Sequence, residues 1–306
     1  MKHQLLALVR RNFKLFFKDK GTFFCALITP AILLVLYVSF LGKVYEDAII
    51  LSLPQIFSSE TRIIGALVGG QLLSSLLAVC CVTVAFCSNL IMIQDKANGA
   101  RRDLEMAPVR ASTLALGYFI ASAITTMVIC LVALCLGFVY LGIRGWYLSF
   151  ADVLMILLDM VLLVLFGTSL SSLIHYPLST QGQASAVGTI VSSGYGFICG
   201  AYMPISNFGK PLQIILSFLP GTYGTSLLRR HCMRGAISAL EEKGSPEAAS
   251  AVLSDAMDAN LYFFDHYVSD GAKLLILFVA VLLLVGGYVL LCIRKEKRRE
   301  KQLTLK

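Results

Sequence analysis

The chain has 306 residues, of which 57% are hydrophobic and only 14% charged, with a mean hydropathy of +0.78 and a net charge of +8. Soluble domains carry roughly 25% charged residues, so this composition excludes a soluble globule and predicts an all-α polytopic membrane protein. The basic excess flanks apolar runs, where orientation in a bilayer accounts for it, so nucleic acid is not an expected partner.

Residues 1–20 read as an amphipathic helix lying on a membrane surface. Leu5, Val9, Phe13, Phe16 and Phe17 share a stripe opposed by Arg11, Lys14 and Lys18. A bilayer crossing needs about 20 mostly apolar residues. Runs that meet this are Thr22–Leu41, Ile63–Ile93, Ala111–Ile143, Val153–Ile174, Gln183–Met203 and Leu274–Ile293, which predicts six transmembrane helices in one domain over 21–293. No cleavable leader is evident, since basic residues run up to Lys20 and no A-x-A-like site follows the first run.

An even number of spans puts both termini on one side. With the termini inside, the inner segments carry six, four, no and seven Lys or Arg, and the outer ones two, one and six. The short inner segments are the denser, so both termini, including the basic tail 294–306, are expected in the cytoplasm of a cell-membrane protein.

Between the second and third runs lies a dense charged block, residues 94–110, with Asp95, Lys96, Gly99, Arg101, Arg102, Leu104 and Pro108. A short charged loop closed by proline is suited to contact another molecule. The fourth run contains Asp159, the one formal charge well inside a span; such carboxylates suggest a cation or proton relay, the plainer alternative being a carboxylic acid held neutral or hydrogen-bonded to a Ser or Thr of a neighbouring helix. The fifth run is rich in Gly, Ala and Ser, which suits close helix packing or a flexible gate.

After the fifth run, residues 204–228 hold Pro204, Pro211, Pro220, Gly221 and Tyr223 around an apolar stretch of about eight residues, too short to span. A re-entrant hairpin fits, with helix stops at the Pro-Gly signals. Residues 229–270 form an acidic extracellular segment. There Ser245-Pro246-Glu247 reads as a helix start, and Leu253, Met257, Leu261 and Phe264 as one helical face.

Eight of the nine cysteines fall in or beside apolar runs and read as packing residues; Cys232 alone lies in a polar region. His231-Cys232 and Asp265-His266 could meet as a metal site, but ordinary surface residues explain them as well, and no metal or catalytic site is expected. No G-x-x-x-x-G-K-[ST] phosphate cradle is present.

The order Asp95-Lys96, Gly99, Leu104 and Pro108 ahead of the third span resembles the cytoplasmic loop of type-2 ABC exporter permeases. Ala100 stands where the family commonly has Thr, and Asp95 where Glu is usual. Gly200-Ala201-Tyr202-Met203-Pro204-Ile205 and Phe218-Leu219-Pro220-Gly221-Thr222-Tyr223-Gly224 are similar to its re-entrant signature. The resemblance implies a transmembrane subunit exporting an amphipathic or hydrophobic substrate (a drug, lipid, peptide or glycan type). It also implies a separate ATP-binding cassette subunit that holds ATP and Mg, a second permease subunit, and surrounding membrane lipid. Residues 94–110 would couple to the ATPase and the hairpin would gate the exit. An ion-coupled carrier using Asp159 and a non-transporting scaffold or sensor are the alternatives.

Overall fold

A computed structural model describes residues 2–52, 60–244, 247–264 and 266–304. Helix α1 (Lys2–Lys18) precedes α2 (Lys20–Leu36), which passes through a π-helical turn at Tyr37–Leu41 into α3 (Gly42–Ser52). Asp19 caps α2 by accepting from the backbone amides of Gly21 and Thr22 and from the Thr22 hydroxyl at 2.6 Å. The helical stretch thus continues well past Leu41, where the apolar run ends.

Helix α4 (Thr61–Ser88) is the centre of the molecule and is buried on nearly every face. A helix apolar all round belongs in the middle of a bundle, and α7 (Ala111–Arg144), α11 (Pro220–Glu242), α8 (Phe150–His175) and α2 surround it. Its small residues set the approach: a Cβ at Gly70 would meet the Cys232 carbonyl of α11 at 2.6 Å. Helix α5 (Leu90–Ala97) extends α4, and α6 (Ala100–Met106) follows a turn at Gly99, whose φ of 80° suits glycine. Helices α7 (Ala111–Arg144) and α8 (Phe150–His175) return across the bundle. α8 starts with a capping box between Ser149 and Asp152.

Among the described residues, five helical stretches can cross a membrane by length and composition: Lys20–Asp47, Thr61–Ala97, Ala111–Arg144, Phe150–His175 and Asp270–Arg298. The run expected as the fifth of six spans, Gln183–Met203, forms helix α9 (Gln181–Ile198) but falls outside this set. Two glutamines and many Gly, Ser and Thr residues dilute its hydropathy, and the chain turns at Gly200 (φ 74°) before Met203 is reached.

The region 204–228 divides into a 3-10 turn at Ile205–Asn207, helix α10 (Lys210–Ser217) and the start of α11 (Pro220–Glu242). Pro220 opens α11 as a first-turn proline. The helix then runs unbroken past residue 228, where the composition had suggested a boundary. It packs on α4, α8 and α13 (Asp270–Thr304), and Lys243 at its end pairs with Glu60 ahead of α4 at 2.5 Å. At Gly235 the backbone of Tyr147 leaves no room for a Cβ. Gly235→Ala is therefore expected to lose about 2–3 kcal/mol by overpacking against a main chain that cannot rotate away, read as a lower thermal midpoint in detergent.

The helix expected through Phe264 ends earlier: α12 (Glu247–Ala256) stops before Asp258, whose φ of 55° breaks it. Leu253, Met257 and Leu261 are buried as one face would be, but Phe264 is exposed in a hairpin of β1 (Tyr262–Phe263) and β2 (His266–Tyr267). The proposed start at Ser245-Pro246 lies outside the described residues, as does Asp265.

Candidate functional site

The charged block 94–110 is a helix–turn–helix at one end of the bundle, and its residues divide by direction. Asp95 turns inward. Both its oxygens accept from the Arg11 guanidinium, at 2.6 and 2.9 Å, and the Tyr118 hydroxyl donates to it at 2.6 Å. One carboxylate thereby ties α1, α5 and α7 together through charge-assisted bonds, the strong kind. Arg11, expected on the polar face of α1, is turned to this contact; Leu8, Asn12 and Phe16 are the buried residues of α1. Leu8 seats against Gly117 of α7, where a larger residue would collide.

Lys96 also has internal partners. Its ammonium donates to the carbonyls of His175 (3.2 Å), Tyr176 (2.6 Å) and Leu178 (2.7 Å), closing the C-terminus of α8, where unpaired carbonyls collect negative charge. Arg101 is buried, pairs with Glu105 at 3.0 Å and lies 5.5 Å over the Tyr118 ring. Leu104 is half-buried against the core.

The residues open to solvent include Arg102, Asp103, Ala107, Pro108 and Met106, the last 73% exposed. The Pro108 carbonyl accepts from Gln4 of α1 at 3.2 Å, and Glu296 of α13 accepts from the Ala111 amide at 3.1 Å. The block is thus fixed to α1, α7, α8 and α13 while presenting a small mixed face. Asp95, Lys96 and Arg101, expected to touch a partner, hold that face in position. Gly99 shapes the turn.

At the opposite end, Asp159 is fully buried and accepts from or donates to His231 Nδ1 at 2.6 Å. Its other oxygen has no hydrogen-bond partner among the described residues. About two turns nearer the start of α8, Asp152 faces Arg234 at 3.5 Å, so α8 and α11 meet along two acid–base rungs. The partner of Asp159 is an imidazole and not a hydroxyl. His231 and Cys232 are both buried, not surface residues, and no cluster of three metal-binding side chains occurs among the described residues. The nine cysteines are all free.

Residues after Pro204 and Pro220 frame a second buried cluster. Arg229 is 1% exposed and pairs with Asp258 at 3.2 Å; it also donates to the Gly200 carbonyl and to Ser75 of α4. Asp258 accepts from the amides of Ile205 and Ser206, just after Pro204. Burial pushes the Asp258 carboxyl above its ordinary range, while Arg229 and these amides pull it back down. Tyr223 donates to the Ser217 carbonyl at 2.6 Å, Thr222 to that of Leu216, and Gly221 lies against Tyr195 of α9. Pro211, at the start of α10, has no such contact role and is exposed. The motif residues thus fix the turn from α10 into α11.

The sequence motifs did not reveal Arg11, Tyr118, Arg229, Asp258 or Lys273 as site residues. The one available signal was Arg229, a cation directly following the buried Leu227 and Leu228. Lys273 is completely buried, donating to Ser226, the Ala259 carbonyl and Asp270.

Residues 3–231 match the family model described as ABC-2 type transporter. The chain belongs to the ABC-2 type transporter family. The match takes in α1, the α5–α6 turn, α9, α10 and α11 as far as His231. No curated relative matches the chain. Membership makes it a membrane-embedded permease subunit, and the family implies an ATP-binding cassette partner.

Proposed function

We propose that this chain is the transmembrane half of an ATP-driven exporter, moving an amphipathic or hydrophobic substrate out across the cytoplasmic membrane. The α5–α6 turn is the docking face for the ATPase subunit, which holds the ATP and Mg. The observation that carries this reading is the division of residues 94–110 into an anchored inner set, Asp95, Lys96 and Arg101, and an exposed outer set, Arg102, Asp103, Met106 and Pro108. A face held by four helices passes displacement into them; a loose loop would absorb it.

In this reading α9 is the remaining one of six spans, and both termini lie on the docking side. Support comes from the exposed Ser185, Thr189 and Ser193 of α9, side chains poorly matched to acyl tails. A second permease copy, or a path between two copies, covers that surface. The Arg229–Asp258 cluster then braces the re-entrant turn at the outer exit.

The test is recovery of the partner. The chain purified from its native membrane is expected to carry an ATP-binding cassette protein with it. Arg102→Glu combined with Met106→Ser should lower that recovery about tenfold, equivalent to roughly 1.4 kcal/mol of docking energy, at unchanged yield of the chain. Recovery equal to wild type would remove the docking face from α5–α6. The unpaired oxygen of Asp159 supports the ion-coupled alternative, which requires flux without ATP that Asp159→Asn abolishes.

A further inference from the structure

The β1–β2 hairpin carries an aromatic edge that the transport reading leaves without a task. Tyr262 pairs with Tyr267 across the hairpin, and Phe263 with His266. Phe264 sits at the tip with a φ of 47°, a backbone region that bulky side chains avoid and that tight hairpin loops usually give to Asn or Gly. It is nevertheless 55% exposed. Phe263 meets Phe264 edge-on at 4.9 Å, and Phe218, just past α10, stands 5.2 Å from Phe263 and 6.1 Å from Phe264. Phe218 is itself exposed, as is Ile215 on α10.

Two features say what this edge meets. First, the tyrosines are split by polarity. The Tyr262 hydroxyl donates to Asp255 at 3.1 Å and that of Tyr267 accepts from Arg230 at 2.7 Å, while both rings stay nearly half exposed. Apolar ring bodies with anchored polar tips suit the boundary between water and acyl chains. Second, the hairpin adjoins the entry of α13 into its apolar run. Tyr267 lies 5.9 Å from the buried Lys273 ammonium, and Lys273 reaches back to Ala259. The next turns of α13 expose Leu275, Phe278, Val279 and Leu282. The aromatic edge thus adjoins, through Tyr267 and Lys273, an exposed apolar surface on a helix long and apolar enough to cross a membrane.

We propose that Tyr262, Phe264, Tyr267 and Phe218 form a bilayer-interface anchor that seats the hairpin and the tip of α10 in the leaflet α13 enters. The strained Phe264 backbone is then held for an apolar side chain that must face lipid. The occupant is phospholipid, near the glycerol level, and not a second copy of the chain.

The test uses the full chain in phosphatidylcholine vesicles, with Trp146, the sole tryptophan, replaced in Trp146→Phe and a reporter introduced by Phe264→Trp. Phospholipid brominated near the glycerol end of its acyl chains should quench the indole roughly twofold, as expected for interfacial residues. Bromines near the methyl end and aqueous iodide should quench it less. Quenching by iodide without bromine would place the tip in water. Protection from both would place it under protein, as a second copy would. Either result overturns the proposal. Phe218→Trp in the same background gives an independent reading should the tip variant fold poorly. No transport or ATP hydrolysis is measured, so the result stands apart from the exporter reading.

Discussion

Asp258→Ala is expected to destabilise the chain by about 3–5 kcal/mol, the usual cost of removing one member of a buried ion pair. The carboxylate satisfies Arg229 and the amides of Ile205 and Ser206, so its loss strands a guanidinium with almost no access to water. Thermal unfolding in detergent should show a large fall. The paired replacement Arg229→Met with Asp258→Leu removes both charges and should recover much of that loss, because apolar isosteres of a buried pair are often neutral. Equal stability of the single variant and wild type would show the pair is solvated and contributes little.

Asp95→Ala carries the second large effect, and its main consequence is functional. Arg11 is about one-third exposed, so water compensates part of its lost partner; the structural cost should stay near 2 kcal/mol. The tie from α1 and α7 to α5 is lost, however, while the exposed Arg102, Met106 and Pro108 stay in place. On the exporter reading the ATPase subunit should still co-purify, with transport lost and ATP hydrolysis no longer responsive to substrate. Asp95→Glu, which keeps the charge, should retain much of both. Normal transport by Asp95→Ala at normal yield would show that this carboxylate transmits nothing.

Much of the fold was legible because bilayer spans announce themselves by length: five stretches long and apolar enough to cross appear where apolar runs predict them. The N-terminal helix and the block at 94–110 were legible from periodicity and charge, yet the direction of each side chain was not. Arg11 and Asp95 are 84 residues apart, and nothing local to either discloses the other. The same holds for Asp159 with His231, where a buried carboxylate was visible but its partner lay in a segment read as soluble. The extent of α11 was hidden by its charges. Arg229, Arg230, His231 and Arg234 suggest an exposed helix, whereas acids on α8 and α13, and Asp258 just past α12, meet them. Phe264 was placed in a helix because its spacing fitted; the left-handed Asp258 that ends the helix obeys local backbone chemistry, which periodicity does not see.

Helix α8 is gripped near both ends by charged side chains. Lys96 holds its last carbonyls, and about 24–35 Å away by helix rise Asp159 and Asp152 hold α11. An α-helix is stiff along its axis, so on the exporter reading α8 is the strut by which a displacement at Lys96 reaches α11.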